Sequence, residues 1–147
     1  MGLKAQRRKN TVGNANFILS VKLLSNDLEA LGVLAEVEDT TLGEQVHTAL
    51  RRYIATRAKE KKFRKAEMIT GKGPYLAARI APPLGDQAKK FSVLCIIDGS
   101  TLGDEIRTAV HQYVASRAKE NAFKKELRAT RRRNKNLLKL LTKKPGD

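Results

Sequence analysis

Apolar and polar residues alternate through "FILSVKLL": Leu19, Val21 and Leu23 fall on one side, Ile18, Ser20 and Lys22 on the other. That period of two predicts a half-buried strand. The period then lengthens. Leu28, Leu31, Leu34 and Ala35 share one helical face, and Ser25 or Asn26 is available to cap it. A second, longer amphipathic helix is predicted by Val46, Ala49, Leu50, Tyr53 and Ile54. Thr41 stands at its cap position, with Glu44 three residues on as the acidic partner of a capping box. The order is strand, short helix, long helix.

The same order returns further along. The segment "TLGEQVHTALRRYIATRAKEKKFRK", residues 41–65, realigns without gaps on "TLGDEIRTAVHQYVASRAKENAFKK", residues 101–125, at an offset of sixty. Ile106, Ala109, Val110, Tyr113 and Val114 repeat the helical face, and Thr101 with Asp104 repeats the cap. Upstream, "YLAARIA" predicts a strand with Leu76, Ala78 and Ile80 inward and Ala77, Arg79 and Ala81 outward. Pro82 and Pro83 stop it, and a helix follows with Leu84, Ala88, Phe91, Leu94 and Cys95 on one face. The sixty-residue offset would set Val21 and Lys22 on Ala81 and Pro82, whereas the alternation favours a strand register shifted by a few residues. Two repeats are too few for a solenoid, so they predict a pseudo-twofold pair.

The chain therefore divides into a basic arm (1–16), a first unit (17–66), a linker (67–74), a second unit (75–126) and a basic helical extension (127–147). The extension sets Arg131, Arg132 and Arg133 ahead of Leu137, Leu138, Leu140 and Leu141. At 147 residues, neither half alone would bury a sufficient core, so the two must support each other.

Charge narrows the partner. Thirty Lys and Arg face fifteen acids, a net charge of +15. That imbalance points to a polyanion, nucleic acid first. No apolar run spans a membrane, the start lacks an apolar signal core, and position 6 is Gln where a myristoylation signal has Ser or Thr. The single Cys95 precludes an intrachain disulfide and fits a reducing compartment, so a cytoplasmic protein is expected.

Catalytic chemistry finds little support. His47 and His111 fall at unmatched points of the repeat, with no Cys or carboxylate at metal-ligand spacing, and are read as surface or interface residues. Cys95 is read as a small hydrophobe on an apolar face. "TGKGP" lacks the glycine spacing and the Ser or Thr of a phosphate loop. The acids Glu36, Glu38 and Asp39 precede a helix N-terminus, where acids are favourable without a catalytic role. No enzyme activity, cofactor or metal is expected.

Residues 20–54, "SVKLLSNDLEALGVLAEVEDTTLGEQVHTALRRYI", resemble the ribbon-helix-helix family, which includes the Arc, MetJ and CopG repressors. The resemblance covers residues 17–66 and 75–126. It implies a mainly α chain with a short two-stranded antiparallel β-ribbon, folded as a tandem ribbon-helix-helix pseudo-dimer whose ribbon enters the major groove of DNA. Outward strand residues would read bases: Ser20 and Lys22, with Ile18 against a thymine methyl, and Arg79 flanked by Ala77. Phosphates would sit on the N-termini of the second helices, at Thr41, Leu42, Gly43 and at Thr101, Leu102, Gly103. The glycines there either admit an anion close to the backbone or serve packing. Arg7, Arg8, Lys9 and Arg131, Arg132, Arg133 are either solvated charge or salt-sensitive phosphate contacts.

Leu24, where many members have Pro, and the Pro82–Pro83 pair after an Ala-rich strand depart from the family pattern and imply an asymmetric DNA site, with the second strand reading less. The expected function is a sequence-preferring double-stranded DNA binder, acting as a transcriptional repressor. Tandem units in one chain also resemble the TraY-like conjugation accessory proteins, which suggests a plasmid or phage context. Two alternatives stand beside it. One is a relaxosome accessory or antitoxin-like adaptor that recruits a protein, or self-associates, through the extension. The other is a nonspecific nucleoid or RNA binder.

Overall fold

A computed structural model describes residues 18–60, 67–70 and 73–142. Strand β1 (Leu19–Leu24) runs straight into helix α1 (Ser25–Glu38), and α2 (Leu42–Ala58) follows. The second half repeats the series with β2 (Tyr75–Ile80), α3 (Gly85–Asp98) and α4 (Leu102–Arg117), before a fifth helix, α5 (Asn121–Thr142). The protein is mainly helical, and among the described residues its one sheet is a pair of antiparallel strands, one from each half.

The ladder sets Leu19 opposite Ile80, Ser20 opposite Arg79, Val21 opposite Ala78 and Lys22 opposite Ala77. Val21, Leu23, Ala78 and Ile80 are buried while Ser20, Lys22, Ala77 and Arg79 are exposed, as the alternation requires. Leu76 departs from its expected inward place and is 51% exposed. Its partner across the ladder, Leu23, is fully buried and occupies the core at that end.

Burial equates Val21 with Ala78 and Leu23 with Ile80, so the strands do not follow the sixty-residue offset of the helices. The difference lies in residues 81–84, a connection that has no counterpart between β1 and α1.

The capping of α1 also differs from expectation. Neither Ser25 nor Asn26 caps it; Leu24 holds the N-cap position without a side-chain bond. Because the strand enters the helix directly, the Ser25 amide donates instead to the Pro74 carbonyl at 3.0 Å, extending the ribbon. Thr41 and Thr101 do cap α2 and α4, each accepting from the amide three residues on at 3.1 Å. The reciprocal bond of the capping box forms at Thr101, whose amide donates to Asp104.

Helices α1 and α3 both end on a left-handed residue, Gly99 with φ 63° in the second half and Asp39 with φ 54° in the first. An L side chain in that conformation costs energy that glycine avoids. Asp39→Gly is therefore expected to stabilise the fold by about 0.5–1 kcal/mol, read as a higher urea midpoint. An unchanged or lower midpoint would show that the Asp39 side chain offsets that cost.

Helices α2 and α4 pack on each other and on α1, α3 and the inner face of the ribbon, giving the two halves one core. Leu31, Leu34, Val46 and Leu50 from the first half meet Phe91, Ile106 and Val110 from the second. Within this core two polar clusters, equivalent under the sixty-residue offset, cross between the halves. Tyr53 donates to Glu105 at 2.8 Å, and Tyr113 donates to Gln45 at 2.6 Å. Arg57 grips Asp98 through both terminal nitrogens at 2.7 and 2.9 Å, and Arg117 grips Glu38 at 3.0 Å twice. Each arginine also donates to the tyrosine one turn before it.

The clusters differ in charge and burial. Gln45 donates to Glu38 and Thr40, whereas its equivalent Glu105 is a carboxylate beside the buried Asp98. Burial, then the Asp98 carboxyl, pushes the Glu105 carboxyl above its ordinary value of 4.5. By contrast, hydrogen bonds from Arg117 and then Gln45 hold Glu38 below that value.

A carboxyl raised on folding keeps its proton to higher pH in the native state than in the unfolded chain. Its presence therefore erodes stability as pH rises from 4.5 through the folded value. Glu105→Gln, which copies Gln45, is expected to add on the order of 1 kcal/mol above that window and almost nothing below it. Urea melts across pH test this; a variant equally destabilised at every pH would refute the assignment.

Helix α5 runs unbroken from Asn121 to Thr142 after a turn at residues 118–120. Phe123 and Leu127 are buried where α5 packs on α1, and Arg131 and Asn134 both bond Glu29. Leu137, Leu138, Leu140 and Leu141 remain exposed. Among the described residues no helix is long and apolar enough to cross a membrane.

Candidate nucleic-acid interface

The outer face of the ribbon brings four of the five expected base-reading residues together. Ser20 lies across the ladder from Arg79 and Lys22 lies across from Ala77, all four exposed. Ile18, just before β1, is 49% exposed. Each cation thus faces a small residue, and the two cations occupy diagonal corners of the face. In the register that burial defines, Lys22 is the equivalent of Arg79 and Ser20 of Ala77, so each strand places one cation and one small residue on this face.

One residue overlooked in the sequence fixes this face. Arg107, in the second turn of α4, donates to the Lys22 carbonyl at 2.6 Å and the Ile69 carbonyl at 2.9 Å. It also pairs with Asp104 at 3.0 Å and lies 5.0 Å from the centre of the Tyr75 ring. Thr108 accepts from the Ile69 amide at 3.1 Å, so residues 67–70 are seated on α4. The first half carries His47 at the place of Arg107. No side-chain pattern announces such a contact, because its acceptors are backbone carbonyls.

The expected phosphate sites lie at the starts of α2 and α4, where Thr41, Leu42, Gly43 and Thr101, Leu102, Gly103 supply the first-turn amides. A Cβ on Gly43 would come no closer than 3.9 Å to a neighbour, and on Gly103 no closer than 3.8 Å. Both are ordinary contacts, so internal packing does not account for either glycine.

Arg7, Arg8 and Lys9 lie outside the described residues. Arg131 is committed to Glu29, Arg133 bonds Thr130, and Arg132 is exposed, all on α5. His111 bridges the halves through Asp27 at 2.9 Å and is an interface residue. Cys95 is half-buried, and burial raises its thiol pKa. Among the described residues no group of His, Cys, Asp and Glu could hold a metal ion.

The cross-half clusters were also missed. Their signal is the retention of Tyr53/Tyr113 and Arg57/Arg117 at the offset of sixty. Compared with known proteins, the chain matches no family model, no curated protein and no solved structure.

Proposed function

We propose that this protein binds double-stranded DNA as a tandem ribbon-helix-helix pseudo-dimer, with the outer face of its two-stranded ribbon in the major groove. The observation that carries the proposal is the exposed face on which Lys22 and Arg79 stand at equivalent positions of two antiparallel strands. The major groove is wide enough for such a ribbon, and lysine or arginine suits the paired acceptors O6 and N7 of guanine.

Each cation would read one guanine, so the preferred site is a pair of similar half-sites. They are unequal because arginine can bond bidentately and lysine acts as a point charge. The Thr41 and Thr101 helix starts would bind flanking phosphates through the amides of Leu42, Gly43, Leu102 and Gly103 and the helix dipole, the Thr101 amide itself being taken by Asp104. The net charge of +15 supplies the salt-sensitive, sequence-independent part of the affinity. Occupying an operator in this way would make the protein a transcriptional repressor.

Selection of a preferred duplex from a random pool, followed by competition against scrambled duplex and RNA at fixed moderate salt, tests the proposal. A preference on the order of a thousandfold or more is expected for sequence reading. Equal competition by all three would leave only charge-driven coating.

A further inference from the structure

We infer that the groove between α2 and α3 is a docking site for an acidic amphipathic helix of a partner protein. Ile54, Ala58, Val93 and Leu94 line a groove of about 260 Å³, with Lys89 and Lys90 on its rim. Lys90 pairs with the exposed Asp86 at 3.2 Å.

The molecule contains the same groove a second time, already filled. At the offset of sixty, Ile54, Ala58, Val93 and Leu94 correspond to Val114, Ala118, Val33 and Leu34. There α5 lies on α1 with Phe123 and Leu127 buried, and Val33 is 3% exposed. Val93, the same residue at the equivalent place, is 51% exposed.

The filled groove also shows what an occupant must present. Phe123, Leu127 and Arg131 follow one another at four-residue spacing on one face of α5: two apolar side chains enter, and the charge meets Glu29. In the groove between α2 and α3, which no described residue fills, Glu29 is replaced by Lys89, and Ala30 by Lys90. The apolar floor is kept and the rim charge is inverted, so the complementary helix carries Phe, Leu and then an acid at the same spacing. The basic α5 of another copy of this chain has the wrong sign. The repeat aligns Phe63 with Phe123, but Phe63 lies outside the described residues.

Two helical peptides test this against the full-length, isotope-labelled protein by amide chemical-shift titration. One copies residues 121–136. The other keeps the positions of Phe123 and Leu127 but carries glutamate at every basic position. The acidic peptide is expected to shift Ile54, Ala58, Val93 and Leu94, and the basic peptide to leave them unmoved. Lys89→Glu, at an exposed site, should weaken the acidic peptide on the order of tenfold and let the basic one bind the same residues.

Shifts that avoid the groove, or an acidic-peptide affinity indifferent to Lys89→Glu, would overturn the inference. So would binding that appears only after Phe63→Ala, which would mean the chain fills its own groove. Concentration-dependent self-association abolished by Val93→Ser would overturn it as well, by assigning the groove to another copy.

Discussion

Replacing Arg57 with Met is expected to lower stability by about 3–5 kcal/mol, the cost of leaving a buried charge without its counterion. Asp98 and Glu105 are both buried, and Arg57 is the cation that bonds Asp98 and lies 3.8 Å from Glu105. Its removal also takes a hydrogen bond from Tyr53. Arg117→Met is the internal control, because its partner Glu38 is 36% exposed and keeps access to water. That exchange should cost about 1 kcal/mol. Thermal or urea melts of both variants provide the check. Equal losses would contradict the asymmetry described between the two clusters. Adding Glu105→Gln to Arg57→Met should recover part of the loss, since one buried acid is then neutral.

Arg79→Ala should weaken binding to the preferred duplex by about 1–3 kcal/mol, the worth of a well-made contact to guanine edges. Scrambled duplex should lose little beyond the effect of one charge. Lys22→Ala should do the same at the other half-site and to a smaller extent, because an ammonium cannot form the bidentate pair. Both side chains project outward from strands whose inner residues form the core, so folding should be unaffected. Affinities measured at one salt concentration on both duplexes settle the point. Losses of equal size on preferred and scrambled DNA would remove base reading and leave phosphate attraction.

Much of the architecture was legible because it depends on periodic patterns. The helical faces at Val46–Ile54 and Ile106–Val114, the caps at Thr41 and Thr101, and the outward set Ser20, Lys22, Ala77 and Arg79 follow from periods of 3.6 and 2. Features depending on contact between distant segments were not. The exact ladder register is set by burial of Leu23 and Ile80; alternation favours a shift of a few residues from the sixty-residue offset, which the longer connection after β2 hides from alignment. The cap of α1 moved because Pro74 supplies an acceptor from the neighbouring strand. The cross-half clusters pair Tyr53 with Glu105 and Tyr113 with Gln45, so their polar partners differ in chemistry even though the tyrosines match. Among the described residues the outer face of α1 is covered by α5 while that of α3 is not, a difference that rests on tertiary packing and on the exchange of Glu29 for Lys89.

The most direct test of the ribbon as the DNA-reading surface is an amide chemical-shift map of the full chain titrated with its preferred duplex. The largest changes should fall on Ser20, Lys22, Ala77 and Arg79, with a second set at Leu42, Gly43, Leu102 and Gly103. Changes confined to α5 and the terminal arms, with the ribbon unmoved, would contradict the account.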